Sequence, residues 1–164
     1  MKMIAACDNN YGIGYQNKLL FRIPEDMKNF SNTTRNNVVV MGRKTYESMD
    51  CKPLPNRINI VVTSDKEYHK EHSNIIVCSI DTLMKELDNY DNDEIYIIGG
   101  GRLYTKLINQ CDEIILTIYH KEYEDVDTYF PIPEDYGFYK NKVLQSGIHE
   151  DIEFEICSYI KSIL

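Results

Sequence analysis

No two of the five cysteines stand close together in the chain. Cys7, Cys51, Cys78, Cys111 and Cys157 form a scattered, odd-numbered set with no C-x-x-C pair. That argues against a disulfide framework or a zinc site, and for reduced thiols in a cytoplasmic protein. His69 and His72 sit among Glu67 and Glu71 in a polar run with no supporting cysteine or third histidine, so they read as solvated surface and no metal is expected. No run approaches the roughly 18 apolar residues of a membrane span. Positive charge is scarce: 18 Lys and Arg against 26 Asp and Glu leave a formal charge of −8. Without a basic stripe to offset that balance, nucleic acid is excluded as an expected partner. Glycine and proline gather into no linker, there is no internal repeat, and the G-x-G-x-x-G dinucleotide fingerprint is missing.

What is present fits one domain of 164 residues with 43% hydrophobic content, enough for a single sizeable core. Short β-branched runs mark strands at 3–6, 37–41, 58–62, 74–78, 94–99 and 113–119, with two more around "YKNKVL" and "IEFEICSYI". Helical patterns fall at 25–31, about 43–49, 80–88 and 101–108. Near-continuous apolar strands separated by helices predict an α/β fold. Its centre is a mostly parallel, twisted sheet of about eight strands with about four flanking helices. No helical pattern separates the last two strands, which predicts an antiparallel edge hairpin.

Ligands of such sheets collect at the carboxyl ends of the strands, and three of those ends suit anions. Gly42, Arg43, Lys44 and Thr45 follow "NVVVM" and lead into a helix, whose first N–H groups are free. Thr63 and Ser64 follow "INIVV". Gly99, Gly100, Gly101 and Arg102 follow "EIYII" and open a helix with Leu103, Leu107 and Ile108 along one stripe. One such corner is ordinary packing. Three in a small acidic domain suit an extended ligand with several phosphates, such as a dinucleotide.

A separate signal lies in "FRIPEDMKNF". Pro24 suits a first helical turn, and a helix continuing from it puts Asp26 on one stripe with Met27 and Phe30. A carboxylate there either does chemistry or complements the helix N-terminus, a contribution of about 0.3–1 kcal/mol that Glu25 makes equally well from the solvent side.

Taken together, "IAA", "GIG…N", "FRIPEDMKNF", "VVMGRKTYES", "PLPNR", "IGGGRLY" and "DTYFP" occur in the order that resembles dihydrofolate reductase, from residue 3 to about 159. The resemblance implies one domain over 1–164, with an adenosine-binding subregion at about 38–88. It implies NADPH-dependent reduction of 7,8-dihydrofolate to 5,6,7,8-tetrahydrofolate, with hydride passing to pterin C6 and a proton to N5. The product supports one-carbon metabolism and thymidylate synthesis. The resemblance also implies a monomer, the family default, that is cytoplasmic and an antifolate target.

Residue by residue, the resemblance makes Asp26 the lone acid of the pterin pocket, shielded by Ile4, Met27 and Phe30. Thr117 bonds it, Ala5 and Ile98 line the same pocket, and Leu54 joins Met27 and Phe30 around the benzoyl ring. Arg57 clamps the glutamate tail, with Lys52 at the mouth. On the cofactor side, Ala6, Ile13, Gly14, Asn17, Lys18 and Leu19 line nicotinamide and ribose, and residues 9–23 form the mobile loop that closes over the reacting rings. Gly42, Arg43, Lys44, Thr45, Thr63 and Ser64 grip pyrophosphate and the 2′-phosphate. Gly99, Gly100, Gly101, Arg102, Leu103 and Tyr104 form the second pyrophosphate corner, with Gly99–Gly100 expected in cis. Cys78 lies at the adenine edge.

The sequence also departs from the family pattern. Phe21 stands where many bacterial members have tryptophan, and Leu20 replaces a frequent proline. Asp65 replaces a basic residue near the 2′-phosphate, and Val126 replaces a glycine. Two other readings stay in view. A riboflavin-biosynthesis type of reductase would keep the glycine corner but lack Asp26 and Arg57. A non-catalytic nucleotide-binding module has no reason to combine a buried acid with a carboxylate clamp.

Overall fold

The apolar strand runs conceal an alternation that decides which side chains meet at the site. The computed structural model describes residues 1–162. Its strands are β1 (Lys2–Cys7), β2 (Gly12–Tyr15), β3 (Lys18–Leu19), β4 (Val38–Gly42), β5 (Ile58–Val62), β6 (Ile76–Cys78), β7 (Ile95–Gly99), β8 (Glu113–Tyr119), β9 (Thr128–Tyr129), β10 (Phe138–His149) and β11 (Ile152–Lys161). The helices are α1 (Pro24–Thr34), α2 (Arg43–Ser48), α3 (Tyr68–Glu71), α4 (Ile80–Leu87) and α5 (Gly101–Leu107).

Eight strands form one sheet in the order β10-β11-β8-β1-β7-β4-β5-β6. All neighbours are parallel except β11, which runs antiparallel to β8 and β10. Alternate residues serve opposite faces. Met3, Cys7, Val38, Val40, Ile97, Ile114 and Leu116 join the core beneath α4 and α5. Their neighbours Ile4, Tyr96, Ile115 and Tyr119 join one cluster on the other face, and Val39, Met41 and Val61 join another. Ile98 packs against both of these.

The single α/β sheet with its C-terminal antiparallel edge is as the sequence predicts. Three features differ. α1 runs to Thr34 rather than 31, because Thr34 is fully buried and its hydroxyl donates back to the Phe30 carbonyl at 2.8 Å. The polar run around 67–72 carries a fifth helix, since Tyr68 is buried against Tyr46 and its ring stacks on His72 at 4.2 Å between centroids. His72 is therefore half-buried packing rather than solvated surface.

Finally, the segment 9–23, expected as a loop, contains the β2–β3 hairpin, which pairs with β9 in a small second sheet. Its two-residue turn has Gln16 at φ 50° and Asn17 at φ 62°. That doubly left-handed turn matches the twist of a hairpin.

Candidate active site

Asp26 and Thr117 meet across the cleft between α1 and the sheet. Thr117 lies on β8 in register with Ala6 of β1, on the face that α1 covers. It is 1% exposed, and its hydroxyl donates to Oδ1 of Asp26. Asp26 is half-buried, whereas Glu25 beside it is exposed. Burial pushes the Asp26 carboxyl above its ordinary value, and the Thr117 hydrogen bond offsets part of that rise. The acid is thus tied to the sheet across the cleft, and Glu25 is free to complement the helix N-terminus from solvent.

The walls follow from strand parity. Ile4 is buried and Ile98 partly buried on this face, and Phe30 of α1 packs into the Ile4 cluster. Leu54 packs into the neighbouring cluster, and Ile98 continues the apolar floor between the two. Met27 projects from α1 with 47% of its surface exposed, at the open side of the cleft. Ala5 differs from expectation: its methyl packs against the core on the opposite face, so only its backbone faces this cleft. Phe21, in place of the family tryptophan, sits against the rings of Tyr119 and Tyr123 at 5.0 and 6.0 Å.

At the far end, Arg57 is half-buried. Its Nε donates to the Pro55 carbonyl at 3.0 Å and its Nη1 to the Thr34 hydroxyl at 3.2 Å. Burial, and secondarily the nearby Arg35 guanidinium, lower its pKa. No carboxylate pairs with it among the described residues, so its positive charge stays available at this end of the cleft. Lys52 is exposed nearby in sequence.

The glycine corners converge. Gly99 and Gly100 are joined by a cis peptide, and Gly99 has φ +133°, a conformation that side chains rarely adopt. Thr45 Oγ1 lies 3.4 and 3.3 Å from where Cβ atoms on these two glycines would sit, and Gly42 faces the Gly99 carbonyl. At Gly101 a Cβ would come within 2.8 Å of Thr128 Cγ2, leaving room only for hydrogen. Ile13 of the hairpin approaches the same spot, and Asn17 Nδ2 donates to the Lys44 carbonyl at 3.4 Å. Gly14 lies between them on β2, while Lys18 and Leu19 are exposed on β3. Thr63 and Ser64 leave β5 beside Cys78, whose carbonyl accepts from the Thr63 N–H at 2.9 Å.

Other expected residues are placed less simply. Leu103 and Tyr104 are buried, and the Tyr104 hydroxyl donates to the Ile4 carbonyl at 2.8 Å, so their side chains belong to the core. Arg102 is exposed. Arg43 is engaged by Glu47 at 2.7 Å, a pairing between neighbours on one helix face that the sequence reading passed over. Two further carboxylates escaped that reading. Asp127 Oδ2 accepts from the Gln16 N–H at 2.9 Å, and Asp8, 2% exposed, accepts three backbone N–H groups. Asp8 opens a turn and Asp127 lies in the irregular segment before β9, settings where an aspartate is ordinary, so residue type alone carried no signal.

Glycine corners gathered at the strand ends, beside a cleft holding one half-buried acid, define a nucleotide-binding α/β domain with an acid-bearing ligand cleft. The family model described as dihydrofolate reductase matches residues 1–161. A dihydrofolate reductase of Buchnera aphidicola from Acyrthosiphon pisum is 38% identical over 141 residues, spanning 85% of this chain and 84% of that protein. The bifunctional dihydrofolate reductase-thymidylate synthase of Paramecium tetraurelia is 36% identical over 117 residues, 70% of this chain but only 25% of that longer protein. Among solved structures, the dihydrofolate reductase of Enterococcus faecalis, complexed with NADP(H) and RAB-propyl, superposes with a TM-score of 0.84 at 31% identity, covering 97% of this chain and 94% of that one. The chain belongs to the dihydrofolate reductase family.

Proposed function

We infer that this chain reduces 7,8-dihydrofolate to tetrahydrofolate at the expense of NADPH. The observation that carries the reading is the pairing of Asp26 with Thr117 in an apolar cleft that ends at the anchored Arg57. The alternative reductase of riboflavin synthesis and the non-catalytic nucleotide module have no use for those two features.

NADPH fits the residues present. The glycines at 42, 99, 100 and 101 form a cradle that Cβ atoms would crowd or fill, and α2 and α5 are each preceded by a glycine at the cap position, Gly42 and Gly100, with no side-chain cap. Gly42, Lys44, Thr45 and the Gly99–Arg102 turn would hold the pyrophosphate, with Arg43, Thr63 and Ser64 at the 2′-phosphate and Cys78 at the adenine edge. Leu103 and Tyr104 support that turn from the core. Ala6, Ile13, Gly14, Asn17, Lys18 and Leu19 would line the nicotinamide and its ribose. When bound, the cofactor supplies a hydride.

The chain's own residues orient the pterin and polarise it. The Asp26 carboxylate accepts from the pterin 2-amino group and the adjacent ring N–H, while Thr117 fixes its rotamer. In a cleft walled by Ile4, Phe30 and Ile98 those hydrogen bonds are less screened than in water. The charge on Asp26 draws positive charge onto the ring and so favours a proton at N5, which solvent delivers. Met27, Phe30 and Leu54 hold the benzoyl ring, Arg57 pairs with the α-carboxylate of the glutamate, and Lys52 adds positive charge at the mouth. The backbone of Ala5 completes the wall behind the pterin.

As to context, we propose a cytoplasmic monomer whose partners are dihydrofolate, antifolates and NADPH, with no nucleic acid. No helix among the described residues is long and apolar enough to cross a membrane. The test is the loss of the reduced nicotinamide's near-ultraviolet absorbance on adding dihydrofolate, run with NADPH and with NADH, then with methotrexate. Oxidation that requires dihydrofolate, favours NADPH and is abolished by methotrexate supports the reading. Oxidation without dihydrofolate, or none at all, overturns it.

A further inference from the structure

Among the described residues Asp8 is the most deeply buried carboxylate, and it has no place in the chemistry proposed above. It follows β1 directly, is 2% exposed, and makes no ion pair among the described residues. Its Oδ1 accepts from the N–H of Asn10 at 2.9 Å and of Gly12 at 2.8 Å, and its Oδ2 accepts from the N–H of Tyr123 at 3.1 Å. One side chain thus joins the end of a central strand, the first residue of β2 and the segment following β8. The backbone runs alongside: Asp8 N–H donates to the Gly12 carbonyl at 2.9 Å and Asn9 N–H to the Lys121 carbonyl at 3.0 Å.

We propose that Asp8 is a positioning residue whose carboxylate sets the pose in which the β2–β3 hairpin covers the cofactor side of the cleft. Gly12 is the pivot. Beyond it, Ile13 reaches the Gly101 corner and the tip residue Asn17 reaches the Lys44 carbonyl, so rotation at residue 12 moves both contacts. The base of the hairpin is fixed by Asp8 to a strand that has sheet neighbours on both sides. A carboxylate is the side chain that can accept all three N–H groups. An asparagine has one acceptor oxygen, and its amide would face at least one N–H donor. Hydrogen bonds to an ionised acceptor are about twice as strong as neutral ones, which suits a hinge that must return to one position.

The inference rests on the NADPH reading of the glycine corners. Its test uses the full chain with Asp8→Asn and four measurements: the NADPH dissociation constant by cofactor fluorescence, the Michaelis constant for dihydrofolate, amide hydrogen exchange across 12–18, and the melting temperature. NADPH binding is expected to weaken by roughly tenfold, the effect of one lost charge-assisted hydrogen bond. The Michaelis constant for dihydrofolate should stay within about twofold, since the Asp26 wall is untouched. Exchange at 12–18 should quicken, with that of β8 unchanged.

Unchanged NADPH binding at any melting temperature overturns the proposal, as does equal weakening of both ligands, which is what a merely structural role gives. Should Asp8→Asn not fold, Gly12→Ala presses on the same contact from the other side, its Cβ 3.0 Å from Asp8 Oδ1 and 2.9 Å from Val126 Cγ1. The same one-sided weakening then supports the proposal, and a symmetrical effect or none overturns it. Wild-type turnover, measured first, tests the functional reading by itself, and hydrogen exchange reports the hairpin with or without it.

Discussion

Replacing Asp26 with asparagine separates the charge from everything else the side chain does. The amide oxygen still accepts from the Thr117 hydroxyl, so the rotamer and the helix stay in place. Two things are lost: the negative charge beneath the pterin, and one acceptor, since an amide N–H then faces a ring donor. In a cleft bounded by Ile4, Phe30 and Ile98 neither is made good by water. Losses of this kind typically amount to 10²–10⁴ in rate, about 2.7–5.4 kcal/mol in the barrier. Single-turnover mixing of enzyme·NADPH with dihydrofolate measures the step itself, and the deficit at neutral pH should fall in that range while NADPH affinity holds. The deficit should narrow as the pH falls, because a higher proton activity lets solvent protonate N5 without the help of the Asp26 charge.

Stability should move the other way. Burial raises the Asp26 carboxyl above its ordinary 3.8, so between that value and the raised one the folded chain binds more protons than the unfolded chain. Stability therefore declines as pH rises through that window, and the ionised carboxylate is a standing cost at neutral pH. Asp26→Asn removes the cost, so the ligand-free variant should melt higher near pH 7 than the wild type, with the gain shrinking as pH falls through the same window. Wild-type turnover across the pH range would show that the Asp26 charge does no catalytic work, and a lower melting temperature at neutral pH would show that its burial costs nothing.

Three further outcomes follow from the site. Arg43→Ala should raise the Michaelis constant for NADPH far more than that for NADH, while the melting temperature barely shifts, because a helix-surface pair such as Arg43–Glu47 is worth only about 0.3–0.5 kcal/mol; equal losses with both cofactors would place 2′-phosphate recognition elsewhere. Arg57→Ala should weaken dihydrofolate by roughly 10- to 150-fold, the range for hydrogen bonds to a charged group, yet leave a dihydropterin without the glutamate tail unaffected; parallel kinetics with both substrates would count against the clamp. Gly101→Ala forces a methyl to within 2.8 Å of Thr128 Cγ2, and should lower stability by about 1–3 kcal/mol together with NADPH affinity, read by calorimetry and by titration.

How much of this was legible depended on whether the information is local. The strands from β4 to β8 announce themselves through β-branched runs, and Pro24 marks the start of α1, because both signals are carried by neighbouring residues. The glycine corners were legible for the same reason. That they converge, with Thr45 against Gly99 and Gly100, is a product of the parallel register. Side-chain parity explains the misassigned methyl of Ala5: a continuous apolar run such as "MIAA" hides the alternation that sends Ala5 to one face and Ile4 and Ala6 to the other. The second sheet stayed hidden because β2, β3 and β9 have four residues or fewer, and β2 pairs with β9 over a hundred residues away. Asp127 shares that cause, since Gln16 lies far from it in the chain, and so does the contact of Asp8 with Tyr123. The contacts of Asp8 with Asn10 and Gly12, and the Arg43–Glu47 pair, are local and lay within reach of the sequence.

In the proposed reaction a reduced nicotinamide delivers its hydride to C6 of a pterin oriented by Asp26. One turnover with NADPH deuterated at the transferable C4 position, followed by nuclear magnetic resonance of the product, locates that hydride. A single deuterium at C6 of tetrahydrofolate, with none at C7 or in solvent, is expected. Label at C7, label lost to water, or unlabelled product would overturn the assignment of the reaction.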